Sequence, residues 1–205
     1  STLVNLVPRF YDVTEGEILV DGTDIRKVSQ HDLREKIGYV PQKGILFSGT
    51  IESNLKYGNE DALLEELEEA ANIAQASEFI NTKAFKYAEE ISQGGSNVSG
   101  GQKQRLSIAR AIVRKPDIYI FDDSFSALDF KTDAILRKEL RSETKDAIVL
   151  IVAQRIGSIM DADKIIVLNE GEVVGIGTHK ELIKNCPIYH EIATSQLTEE
   201  ELANE

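Results

Sequence analysis

An α/β fold built on a mainly parallel sheet is what this sequence predicts, and three observations carry the prediction. Two continuous apolar runs, residues 118–121 and 147–153, have the length of buried strands. A helical pattern around Leu136 and Leu140 separates them, which is the strand–helix–strand rhythm of parallel pairing. A third run, residues 37–40, stops at the breaker Pro41. In such a fold, ligands gather at the carboxyl ends of the strands.

The elements follow in order. Residues 1–10 read as a short helix, and residues 17–20 as a strand closed by the turn Asp21-Gly22, giving a small N-terminal β portion. Ser29 with Asp32 reads as a helix cap followed by a first-turn acid, ahead of the strand at 37–40. Gln42 therefore sits just beyond a strand end. Between Asp61 and Ala76, Leu63, Leu67, Ala70, Ala71 and Ala74 recur at helical spacing, with Glu65, Glu66, Glu68 and Glu69 between them. This acidic helix belongs to a mainly helical stretch, about residues 55–110. Residues 165–168, the turn Asn169-Glu170-Gly171 and residues 172–174 read as a hairpin, followed by a helix capped by Thr178 and Glu181.

Composition narrows the class. With 205 residues and 41% hydrophobic content, one domain with a real core is expected. No run of about 18 apolar residues occurs, so no membrane span is read. The opening Ser1-Thr2-Leu3-Val4 shows no secretory pattern. Cys186, the only cysteine, is read within a helical stretch and supports neither a disulfide framework nor a thiolate metal site; a reducing setting fits. Acids outnumber bases 35 to 23, for a net charge of −12, concentrated at residues 60–69 and at Glu199-Glu200-Glu201. That opposes nucleic-acid binding, which needs a basic face. His31, His179 and His190 are read as surface or capping residues.

Two segments carry chemistry. Val98-Ser99-Gly100-Gly101-Gln102 precedes a helix with Leu106, Ala109 and Val113 on one side. Unpaired N–H groups at a helix start favour a phosphate, and glycines let it come close; by themselves the four residues Ser99–Gln102 fit a capped loop equally well. The apolar strand at 118–121 then delivers two adjacent carboxylates, Asp122 and Asp123. The first suits a Mg²⁺ ion held on nucleotide phosphates and the second suits work on a water, although a solvated strand end would look the same.

The order of the segments makes the case. Ser99-Gly100-Gly101-Gln102 resembles the signature of ABC nucleotide-binding domains, residues 118–122 resemble Walker B, and Ser126-Ala127-Leu128-Asp129 resembles the D-loop, with Asp129 as its acid. Gln42 resembles the Q-loop glutamine. Residues 46–51, Asn54-Leu55 and Gln93-Gly94-Gly95 resemble exporters of the multidrug type. The resemblance implies a P-loop NTPase-like fold with a helical signature subdomain at about 55–110, the ATPase core in the rest of 1–205, ATP and Mg²⁺ as cofactors, and a place on the cytoplasmic face of a membrane beside an exporter's transmembrane domain. Gln42 and Asp122 are implied as Mg²⁺ ligands at the nucleotide.

Three departures qualify it. Walker A reads G-x-x-x-x-G-K-[ST], and this chain opens at Ser1-Thr2, so Ser1 is implied as the Mg²⁺-binding hydroxyl and Thr2 as the next phosphate contact. A domain cut inside this loop is expected to bind ATP weakly and to be inactive alone; simple helix capping is the plainer reading of the Ser-Thr pair. Asp123 stands where the family has a catalytic glutamate, and it is shorter by ~1.5 Å, one C–C bond length. Gln154 stands where the family has a switch histidine, and it cannot become a cation. Together Asp123 and Gln154 imply a degenerate catalytic site. Family members pair head to tail, which implies a heterodimer in which the intact signature completes the partner's site. A non-hydrolysing regulatory subunit is the competing reading. ATPases of DNA repair or chromosome organisation share the fold but require a coiled-coil insertion or a basic groove, and the sequence contains neither.

Overall fold

The structure, a computed structural model, describes residues 1–198, which separate into a first unit ending at Val152 and a second beginning at Ala153. The acidic segment Glu199-Glu200-Glu201 lies outside the described residues.

The first unit opens with helix α1 (Thr2–Leu6), shorter than the ten residues the sequence predicts. Pro8 brings no N–H to continue the ladder, and Arg9 at φ 54 turns the chain. Strands β1 (Leu19–Val20) and β2 (Thr23–Asp24) form the expected hairpin. Its turn residues Asp21 and Gly22 both take positive φ, 50° and 74°, the conformation a two-residue hairpin demands. Helix α2 (Gln30–Glu35) is capped as expected, Ser29 Oγ accepting from the Asp32 N–H at 3.1 Å. It leads into β3 (Ile37–Val40).

The stretch read as helical contains a short strand as well, β5 (Glu90–Ile91), paired with β4 (Gly49–Thr50), which precedes it. Two residues per strand leave no periodicity to read. Around it run α3 (Ile51–Lys56), α4 (Leu64–Ile73) and α5 (Ser77–Asn81). Leu67, Ala70 and Ala71 of α4 are buried, and its glutamates stay on the solvent side. Helix α6 (Gly100–Arg114) then crosses this region, burying Leu106, Ile108, Ala109, Ile112 and Val113.

Strand β6 (Ile118–Asp122) is buried at every position, as the central strand of a parallel sheet should be. After α7 (Phe130–Glu143) comes β7 (Ile148–Val152), and the sheet order is β3-β6-β7, all parallel. Alternation along β6 divides the unit's apolar contacts. Tyr119 and Phe121 join the large cluster with Val40, Leu106 and Leu136, whereas Ile118 and Ile120 pack with Ile25, Leu33 and Ile37. The register places Val40 beside Phe121 and Val152 beside Asp122, so the three strands end together.

The second unit is the predicted hairpin, β8 (Ile165–Asn169) and β9 (Glu172–Gly177), with α8 (His179–Asn185) and α9 (Pro187–Gln196). Thr178 and Glu181 form the expected capping box. Two expectations change here. His179 is buried rather than superficial, its Nδ1 lying 2.7 Å from the Tyr189 hydroxyl. Cys186 ends α8 in extended backbone and is buried with Leu182 and Tyr189, because the two helices meet there and a small apolar side chain fills the corner. His31 and His190 are exposed.

Candidate functional site

The common end of β3 and β6 brings together four residues that the sequence singled out. Asp122 is the last residue of β6 and Asp123 follows it; both are buried. Ser1 stands at the start of α1 but does not cap it. Its hydroxyl donates instead to Asp122 Oδ1 at 2.7 Å. Gln42, two residues past β3, donates its Nε2–H to Asp123 Oδ2 at 2.9 Å. The plain capping reading of Ser1 thus gives way to a contact across 121 residues of sequence. Thr2, beside it, is exposed in the first turn of α1.

Residues that sequence reasoning gave no role complete the strand end. Tyr39 reaches Asp122 Oδ2 at 3.2 Å and Asn5 Oδ1 at 2.8 Å through its hydroxyl. Burial, reinforced by the Asp122 carboxylate, pushes the Tyr39 hydroxyl up to about 12, so it remains a donor throughout the working pH range. Ser124 Oγ donates to the Val40 carbonyl at 2.8 Å, and Ser126 Oγ to the Asp123 carbonyl at 2.8 Å. Asp123 takes φ 49, a region that aspartate tolerates better than longer side chains, and its N–H donates to the Val152 carbonyl at 2.9 Å. The signal for Tyr39 was present in the sequence: a polar aromatic in an apolar strand needs a partner for its hydroxyl.

The donor set is chemically coherent. A serine hydroxyl, a carboxylate and a side-chain amide are hard oxygen ligands of the kind Mg²⁺ takes beside phosphates. Ser1 bonds Asp122, and Gln42 bonds the adjacent Asp123, so these residues fit a Mg²⁺–nucleotide group.

The signature-like segment is built differently. Ser99 caps α6, its Oγ accepting from the Gln102 N–H at 3.2 Å while Gln102 Oε1 accepts from the Ser99 N–H at 3.0 Å. Gly100 and Gly101 are the first two helical residues, so Gly101 lies in a helix turn and not in the loop the sequence suggested. A Cβ on Gly101 would meet only the Ala127 carbonyl oxygen, at 3.4 Å, and one on Gly100 would meet nothing within 4 Å. Asp129 caps α7, accepting from the Thr132 N–H at 3.0 Å and the Thr132 hydroxyl at 2.7 Å; these bonds hold its carboxyl below the usual range. Gln154 belongs to the second unit, where its side chain is exposed and its carbonyl accepts from Gln196 Nε2 at 2.8 Å.

Beside the Gln42 segment lies a cleft of about 320 Å³ whose walls include Tyr39, Ile45, Phe47, Tyr57, Arg110 and Arg114. Phe47 and Tyr57 pack at a tilt of 42° with centroids 4.7 Å apart, and the Arg110 guanidinium lies over both rings, 5.4 Å and 5.9 Å from their centroids. Buried Asn54 organises this wall: its carboxamide bonds both backbone groups of Phe47, and Arg110 binds the Asn54 carbonyl and Oδ1.

Comparison with known proteins gives the family of the chain. Residues 1–126 match the family model described as ABC transporter. An ABC transporter ATP-binding protein of Mycobacterium tuberculosis, itself uncharacterized, is 49% identical over 199 residues, covering 96% of this chain and 34% of that protein. A Staphylococcus aureus protein named for multidrug export as an ATP-binding/permease protein is 45% identical over 196 residues, with the same coverage of 96% and 34%. Among solved structures, a bacterial Atm1-family ABC exporter with ATP bound matches with a TM-score of 0.93 and 38% identity, over 97% of this chain and 35% of that one. The chain thus spans about a third of the length of the relatives it matches.

Proposed function

Since the chain belongs to the ABC transporter family, as an ATP-binding domain of the exporter type, we propose that it couples ATP binding and hydrolysis to substrate export as one half of a head-to-tail heterodimer, with a degenerate catalytic site of its own. The convergence of Ser1, Gln42, Asp122 and Asp123 at one strand end is the observation that carries this reading. In it, Ser1, Asp122 and the amide oxygen of Gln42 would hold Mg²⁺, which supplies charge neutralisation on the phosphates. Thr2 faces the same phosphates, and Asp129 serves the D-loop.

Asp123 occupies the position of the general base. Its carboxylate is engaged by Gln42, and it is one methylene shorter than the family's glutamate, so its reach to a water is reduced. Gln154 can hydrogen-bond a phosphate but supplies no positive charge. Ser99, Gly100, Gly101 and Gln102 present an uncovered helix start to the partner's nucleotide. Residues 55–110 act as the helical arm that carries this signature. The cleft lined by Ile45, Phe47 and Tyr57 is the surface for the transmembrane domain: it is aromatic and exposed, and two buried donors on its wall, Ser107 Oγ and Arg114 Nε, lack partners among the described residues.

The test uses the full-length exporter with its partner. With the partner's catalytic glutamate disabled, Asp123→Glu together with Gln154→His should raise ATP turnover at this site by about 10²-fold, the lower end of what a positioned base contributes. No gain would remove the degenerate-site reading. A second reading, nucleotide binding without turnover, draws on the engagement of Asp123 by Gln42. It requires turnover to be undetectable at this site both with and without the partner's activity.

A further inference from the structure

Gln104 lies in the second turn of α6 and is 1% exposed. Both ends of its carboxamide are committed to the backbone that follows β3. Its Oε1 accepts from the Gly44 N–H at 2.8 Å, and its Nε2 donates to the Pro41 carbonyl at 2.9 Å. The two bonds straddle Gln42, whose own side chain goes on to Asp123. Close approach of the two backbones makes this possible. A Cβ at Gly44 would lie 2.7 Å from the Lys103 carbonyl oxygen and 2.9 Å from Ser107 Oγ, so only glycine lets the segment lie against α6. Further along the helix, Arg110 Nη1 donates to the Ile45 carbonyl at 3.0 Å.

We propose that Gln104 is a positioning residue that makes the placement of Gln42 follow α6. It touches no nucleotide and acts only through the backbone on either side of Gln42. The helix it belongs to begins at Ser99 and Gly101, so a displacement of the signature helix is transmitted directly to the Gln42 segment. The inference rests on the reading that Gln42 serves a nucleotide site. A packing role alone would need neither end of the carboxamide to bond the same distant segment, 60 and 63 residues away in sequence.

Two variants of the full-length exporter with its partner test this. Gln104→Met keeps the length of the side chain and removes both hydrogen bonds. Gly44→Ala pushes the segment off α6 while leaving Gln104 intact, and it carries the same test should the methionine variant fail to fold. Without nucleotide, hydrogen exchange at residues 41–46 should quicken by about tenfold in either variant, the effect of one lost buried hydrogen bond, while β6 stays protected. In a double-mutant cycle read as turnover at this site, with the partner's catalytic glutamate disabled, Gln104→Met should lower ATP turnover by about tenfold when Gln42 is present and by less than about twofold in Gln42→Ala, because residues acting through one another are not additive. Equal losses in both backgrounds, or exchange quickened throughout the first unit, would overturn the proposal in favour of packing. Should Gln42→Ala itself leave turnover unchanged, the nucleotide-site reading falls and this inference with it; should Gln42→Ala be damaging and Gln104→Met silent, this inference alone falls.

Discussion

The carboxyl end of β6 and the first turn of α6 both carry residues read as phosphate-facing, yet they are assembled in opposite ways. At β6 the acids are buried and held by partners far away in sequence: Ser1 and Tyr39 on Asp122, Gln42 on Asp123. At α6 Ser99 and Gly100 are exposed, Gly101 and Gln102 are half-buried, and Ser99 and Gln102 close a capping box within four residues. One region is organised by the fold of its own chain. The other is a helix start with Ser99 and Gly100 open to solvent, which suits an anion arriving from outside. The head-to-tail pair proposed above would account for both in one chain.

The largest expected effect breaks the comparison at α6. Gly101→Asp should leave folding intact, since its Cβ would meet only a carbonyl oxygen at 3.4 Å and an acid in the first turn suits the helix dipole. Turnover at the partner's site should fall by about 10²-fold or more, the scale of losing a preorganised phosphate donor. Photo-crosslinking of nucleotide to the Ser1–Asp122 end should persist. If that labelling vanished and turnover survived, both regions would serve one nucleotide within the chain, and the head-to-tail arrangement would be wrong.

The next effect belongs to β6. Tyr39→Phe removes a hydroxyl shared by Asn5 and Asp122, leaving two acceptors with one partner fewer. The half-saturating Mg-ATP concentration of the full-length protein should rise by about fivefold, equivalent to about 1 kcal/mol, the usual net contribution of one hydrogen bond. Because the hydroxyl is pushed up to about 12, the native protein's affinity should show no step from this group between pH 6 and 9, roughly the range where unperturbed carboxylates and tyrosines are both silent. An unchanged half-saturation in Tyr39→Phe would mean that Asp122 is organised by Ser1 alone.

How legible each region was follows from how it is built. The α6 start was readable because a cap, two glycines and an apolar helix face are adjacent in sequence, and local hydrogen bonds need no fold to specify them. The parallel strands were readable from their apolar runs. At β6 the acids were visible, but Tyr39, Asn5, Ser124 and Gln104 were not, since each gains its role from a partner 34 to 84 residues away. The backbone of Asp123 was hidden for a related reason: its φ of 49 arises from the turn leaving β6. That conformation predicts a side effect for Asp123→Glu. Glutamate lacks the aspartate's tolerance of left-handed backbone, so the variant should lose about 1 kcal/mol of stability by denaturant titration even if turnover rises. Unaltered stability would show that the turn adjusts.

The smallest expected effect separates the two jobs of Ser99. Its hydroxyl caps α6 from within the chain, and in the proposed function the same hydroxyl donates to the partner's phosphate. Ser99→Ala should cost about 1 kcal/mol of stability, whereas Ser99→Gly should cost only a few tenths, because glycine is an acceptable cap without any side chain. Glycine and alanine alike lack the hydroxyl. Turnover at the partner's site should therefore fall by the same factor in both variants although their stabilities differ. If turnover instead tracked stability, with Ser99→Gly close to native, the hydroxyl would be a cap and nothing more, and the contrast between β6 and α6 would reduce to one of burial.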